Sequence, residues 1–296
     1  MPQVESIRRQ RKAKRSSGVR LPSVKKQPAR QASGKILEVQ YFRVIKRLIE
    51  PYFTDIRERL IPSLPEIVES FNQATRVDDL RLDQTYGELI SKRIRDINIG
   101  IVLQLPESML KLRSEDQAIS ISRFQRKQFD KQVKTVLGVD PILNESYLEP
   151  QVQSFVERNA ALIKDVPDQS IARVETKLRT GIEAGESLKT LTATIQSELN
   201  IAKNRAKLIA RDQTNKFLGK LNELRQTELG VEEYIWSNSD DRRVRGNPSG
   251  KYPNAIPSHW TRNGKKYKWS EPPSDGHPGF PVNCRCVALP VLDDFK

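Results

Sequence analysis

The side chains best suited to chemistry are gathered in one part of this sequence. Its only histidines and cysteines, His259, His277, Cys284 and Cys286, all fall between residues 259 and 286. Thiolate and imidazole together suit Zn2+ in a closed tetrahedral site better than Mg2+ or Ca2+. On a strand, Cys284 and Cys286 would face the same side, and the two histidines would complete a Cys2His2 set. Their spacing is tighter than that of usual zinc cysteine pairs. The competing assignment makes the cysteines small core residues and has the histidines bond loop carbonyls, so Zn2+ and no cofactor both stand.

A second constellation precedes these residues. Asp241-x-Arg243-x-Arg245 reads as an ion-paired turn in which Asp241 accepts from arginine or from backbone amides. Asp241 with His259 and the arginines would also make an acid–base pair with phosphate clamps, as a nuclease needs. No nucleophile motif, phosphate loop or carboxylate cluster accompanies them. The expectation is therefore no catalytic residue and a structural protein, with a nuclease or other nucleic-acid hydrolase as the alternative.

The elements that position these groups follow from hydrophobic period. With 6% aromatic and 30% charged residues, the 296-residue chain favours long amphipathic helices over a β-sandwich. It reads as mainly α, with an elongated helical N-terminal and central region and a small loop-rich α+β module at the end. Tyr41, Ile45, Leu48, Tyr52, Ile56 and Leu60 mark one helix, kinked or broken at Pro51 and stopped by Pro62 and Pro65. Ile90, Ile94, Ile97 and Ile101 mark a second, and Phe129, Val133, Val136 and Leu137 a third that Gly138 ends.

Residues 150–230 read as a run of helices with short turns. The first is closed by Val166-Pro167, the second is capped by Asp168, and the next starts at Ser187 and leads to a long helix ended by Gly230. Strands are expected around Val231–Trp236, Tyr267–Trp269 and Val287–Val291, the last at an edge because of Pro290. The resulting blocks are 1–35, 36–149, 150–230 and 231–296.

The first block is the basic one. Residues 1–35 hold eleven Lys/Arg against Glu5 alone, in a chain of net charge +14. With so little apolar pattern it is expected to be a disordered arm. Arg8, Arg9, Arg11, Lys12, Lys14, Arg15, Arg20, Lys25, Lys26 and Arg30 would then meet nucleic-acid phosphates, and sequence-independent DNA binding is a further alternative function. Neither a membrane span nor an apolar signal core is legible, so a soluble, cytosol-made product with no membrane partner is expected.

One ordered series of residues resembles a family. It runs through Asn159-Ala-Ala-Leu162-Ile163, Gly185-Glu-Ser187, Arg205-Ala206, Ile209-Ala210-Arg211-Asp212 and Gly230. It continues with Trp236, Asp241-x-Arg243-x-Arg245, Pro257-Ser-His259, Gly264 and Asn283-Cys284-Arg285-Cys286. Over roughly 150–290 this is similar to the Mu F-like phage head morphogenesis proteins, the minor head proteins of tailed phages. The departure is the loop Gly246–Ile256, which sets His259 further from Asp241 than in the family. The resemblance implies a virion component made in the host cytoplasm and lying inside the head near the portal. It implies as partners the portal protein, packaged double-stranded DNA, and a major capsid or scaffolding protein.

Overall fold

The structure, a computed structural model, describes residues 2–24, 27–32, 34–77, 88, 90–96, 105–141, 143 and 145–295. It is mainly α, as expected. The long helices are α1 (Pro2–Ser16), α2 (Lys35–Asp55), α3 (Ile61–Val77), α4 (Glu107–Leu137), α5 (Glu149–Glu183) and α6 (Leu188–Leu229). Three short strands, β1 (Glu233–Ser237), β2 (Lys266–Lys268) and β3 (Val287–Pro290), form an antiparallel sheet in the order β2-β1-β3. Tyr234 pairs with Tyr267 on one side and with Pro290 on the other. Pro290 therefore falls on an edge strand, where a missing N–H interrupts no ladder. No helix among the described residues is long and apolar enough to cross a membrane.

The chain divides into two compact units, residues 1–39, 115–155 and 211–296 forming one and 40–114 and 156–210 the other. Both are discontinuous in sequence, whereas the linear reading takes the chain in consecutive blocks.

In the second unit the buried stripe Tyr41, Ile45, Leu48, Tyr52, Ile56 and Leu60 continues to Leu64 and Ile67. Pro62 and Pro65 do not stop it. The residues between α2 and α3, Ile56–Leu60, form a π turn closed by Ile61 N–H on the Ile56 carbonyl. Pro62 follows directly, where its ring would press on the Glu58 carbonyl in an ordinary α turn; the wider turn makes room. Residues 90–96 are helical, with Ile90 and Ile94 buried; Ile97 and Ile101 lie outside the described residues.

Pro167 likewise lies inside α5, and Asp168 caps no helix. Ile163, Val166, Ile171, Val174 and Leu178 are buried on either side of it. Burial worth about 1.5–3 kcal/mol per large apolar side chain outweighs the roughly 3 kcal/mol of an interior proline. The two helices expected after Ser187 are also one, the 42-residue α6. Its ends are as expected. Ser187 Oγ accepts the Thr190 N–H at 3.2 Å. Gly230 has φ +91, and Val231 N–H reaches back to the Gln226 carbonyl at 2.9 Å, closing a Schellman turn.

The first unit corrects the reading of the N-terminus. Pro2–Ser16 is helical, and its Val4 and Ile7 are buried with Phe129, Val133 and Val136 of α4 and with Phe295. The sequence holds just enough apolar residues, three apart, to seat one face of α1. Arg11 lies on that same face, 1% exposed, and donates to the Leu137 and Pro22 carbonyls.

A buried arginine ties the unit together lower down. Arg225 of α6 is fully buried, and its Nε and Nη2 donate to Glu145 at 2.7 and 3.0 Å. Its remaining donors reach Gln125 and the Ser122 carbonyl and hydroxyl. Burial raises the Glu145 carboxyl pKa, but hydrogen bonds from Arg225 and Arg126 outweigh it and hold the group below the usual carboxylate range.

Arg225→Ala leaves Glu145 to Arg126 alone and takes the Arg225 donor from Gln125, and should cost about 2–4 kcal/mol in denaturant unfolding; a loss under about 0.5 kcal/mol would contradict this role. Because the folded-state pKa of Glu145 is depressed, its contribution is present above the unfolded value of roughly 4.3 and lost as pH falls through the folded one. The stability gap between wild type and Glu145→Gln should accordingly close as the solution is acidified below that range.

Candidate functional site

The C-terminal module buries one aromatic cluster, formed by Tyr234, Trp236, Trp269, Cys284, Cys286 and Ala288, with Tyr267 packed on it. Aromatic residues alternating on β1 account for its sheet side. The cysteines do not lie on a strand. They sit in the turn preceding β3, where Cys284 N–H bonds the Pro281 carbonyl at 3.0 Å and Asn283 takes φ 61. Asparagine tolerates that left-handed conformation, and it reverses the chain so that both sulfurs face inward.

Three of the four expected ligands meet. His259 Nδ1 lies 3.6 Å from Cys284 Sγ and 3.6 Å from Cys286 Sγ, and the three donor atoms all fall within 4.8 Å of one another. This is the one group among the described residues whose donors could share a metal ion. All three residues are buried. Cys284 Sγ also accepts from the backbone N–H groups of Gly279 and Cys286, each at 3.4 Å. Hydrogen bonding from Cys286, followed by that from His259, pulls the Cys284 thiol well below its ordinary pKa despite burial.

The second nitrogen of His259 is taken up too. Nε2–H donates to Asp275 Oδ2 at 2.8 Å, and Arg262 Nη1 donates to Oδ1 of the same carboxylate at 2.5 Å. Burial lowers the His259 pKa, but Cys284 and Asp275 outweigh it and the net direction is up. His277, expected as the fourth ligand, is not in the group. Its Nδ1 lies 2.9 Å from the Tyr234 hydroxyl and its ring packs 4.8 Å from that of Trp269. It is a hydrogen-bonded core histidine.

The turn that carries the cysteines is held from three directions. Asp212 of α6 accepts the Asn283 N–H at 3.1 Å, and Arg211 donates to the Asn283 side chain at 2.6 Å. Arg245 donates to the Val282 carbonyl at 3.0 Å. Arg285, between the two cysteines, forms a bidentate pair with Glu38 at 2.9 and 2.5 Å. Glu38 is buried and also receives Asn215 of α6 at 2.9 Å.

Asp275, in the loop that also carries His277, could have been suspected from its carboxylate. Glu38 could not, since no local pattern links residues 247 positions apart.

His259, Cys284 and Cys286 line a cavity of about 400 Å3, together with Arg211, Asp241, Arg243 and Arg245. Asp241 is engaged by its own turn, accepting Arg243 N–H at 2.8 Å and Arg243 Nη2 at 2.9 Å. Burial raises its pKa, but Arg243 outweighs that and keeps it low. No acid–base pair with His259 is assembled, because both side chains are held by other groups.

The basic residues of the N-terminus are divided. Arg8, Arg9, Lys12, Lys14, Arg15, Arg20 and Arg30 are exposed, Arg11 is buried, and Lys25 and Lys26 lie outside the described residues.

Residues 172–289 match the model of the family described as Phage Mu protein F like protein. An uncharacterized protein of Haemophilus influenzae is 32% identical over 166 residues, 55% of this chain and 35% of that protein. The chain thus spans about a third of the length of that relative. No solved structure matches. The matched segment contains Arg211, Asp212, His259 and the turn 283–286, while Glu38 lies outside it. Glu38→Ala should therefore strip Arg285 of its carboxylate and cost about 1.5–3 kcal/mol, with faster amide hydrogen exchange across 283–287. Unchanged exchange there would show that the turn is held without Glu38.

Proposed function

We propose, from the match of residues 172–289 to the model of the Phage Mu protein F like family, that the chain is a structural minor head protein of a tailed phage. In this reading it docks on the portal inside the head during assembly, in the host cytoplasm, and contacts the packaged double-stranded DNA. The single observation that carries the reading is the family match, which spans α6, the sheet and the anchored cysteine turn. A structural role is supported further by the site itself, where Asp241 is bound by Arg243 and His259 by Asp275.

DNA contact is supported by the exposed cations of α1. Arg9, Lys12 and Arg15 are exposed there, and a helix presenting cations without a base-reading motif would meet phosphates by releasing counterions. Portal docking rests on the family relation alone, as does contact with a capsid or scaffolding protein.

The test combines the purified full chain with portal and follows the mass of the mixture. A stable complex of defined stoichiometry is expected, and two separate species at micromolar concentration would overturn the docking. In parallel, replacing Arg9, Lys12 and Arg15 by Ala should weaken binding to duplex DNA equally for unrelated sequences. It should also reduce the slope of log affinity against log salt by roughly 0.9 for each phosphate no longer neutralised. An unaltered slope would remove α1 from the DNA surface.

A further inference from the structure

We propose that His259 Nδ1, Cys284 Sγ and Cys286 Sγ hold one Zn2+ ion as a three-ligand site, with the fourth position open to the arginine-lined cavity and available to an oxyanion. The geometry is the first argument. Zn–S bonds of about 2.3 Å and a Zn–N bond of about 2.0–2.1 Å at tetrahedral angles place nitrogen and sulfur about 3.6 Å apart. Both observed separations from His259 Nδ1 are 3.6 Å.

The surroundings are the second argument. A zinc-bound histidine usually gives its other N–H to a carboxylate, which fixes the ring. His259 does so to Asp275, itself clamped by Arg262. Backbone N–H groups aimed at Cys284 Sγ are what a thiolate ligand would accept. The turn also brings the two sulfurs together without a strand, through the left-handed Asn283.

The fourth position follows from the ligand count. His277 is committed to Tyr234, so among the described residues three donors meet rather than four. Three protein ligands leave a place for water or an exogenous ligand. The residues bearing the three donors all line the cavity, and so do Arg211, Arg245 and Lys251. An incoming phosphate-type oxygen would meet a cation-rich wall there, with Asp241 already neutralised by Arg243.

The inference does not depend on the head role. The experiment uses the full chain, purified under reducing conditions and analysed for metal. About one zinc per chain is expected, retained by His277→Ala and lost from Cys284→Ser and Cys286→Ser whose helical circular dichroism is intact. Metal-free wild type that also fails to take up added Zn2+, or equal loss from His277→Ala, would overturn the three-ligand site. The chain is then loaded with Co2+ and titrated with inorganic phosphate. Intense tetrahedral d–d bands with sulfur charge transfer are expected, shifting saturably with phosphate. Bands that stay fixed up to millimolar phosphate would overturn the open fourth position.

Discussion

The structure around the site depends on two amides of α6 meeting one carbonyl. Asn222 Nδ2 and Gln226 Nε2 both donate to the Ala288 carbonyl of β3, at 2.8 and 2.9 Å, in a buried setting. A three-stranded sheet whose strands are three to five residues long cannot bury enough surface to stand alone. The helix supplies what the sheet lacks. Gln226 also accepts from Trp269 Nε1 at 3.2 Å, and Asn222 accepts from Gln125 of α4 and from Gln31 at 3.0 and 3.1 Å. Each partner fills the spare capacity of the next, so no amide of this network is left idle at the cost of a buried unpaired group.

The site follows from that attachment. Once β3 is fixed against α6, the turn before it is brought within reach of Arg211 and Asp212, about three turns earlier on the same face of that helix. The pair Glu38–Arg285 then locks the turn between its two cysteines. Close approach of backbones is part of the same arrangement. A Cβ added at Gly219 would stand 2.7 Å from the Pro278 carbonyl oxygen, so only glycine lets the loop 276–280 lie against α6. That loop carries the Gly279 N–H that points at Cys284. Scaffold and donor geometry are thus consequences of one packing arrangement.

Much of the fold was legible in the amino-acid sequence because helical period, Schellman glycine and serine cap are local signals. Gly138, Ser187 and Gly230 mark ends that the structure shares. The prolines misled because their cost is local and their compensation is not: Pro62, Pro65 and Pro167 are carried by burial along whole stripes. The N-terminal arm misled for the opposite reason. Its charge is visible, whereas the two apolar residues that seat it, Val4 and Ile7, acquire meaning only from partners more than a hundred positions away.

The site was legible as a set of residue types and not as a set of partners. His259, Cys284 and Cys286 meet, but His277 looks identical in sequence and is diverted by Tyr234. The central claim is that these three side chains, and not four, define the chemistry of the module. X-ray absorption at the zinc edge of the full chain addresses it directly. The account predicts a first shell of two sulfurs at about 2.3 Å, one imidazole nitrogen and one lighter oxygen donor. A shell containing two imidazoles and two sulfurs, or a protein with no zinc edge, would contradict it.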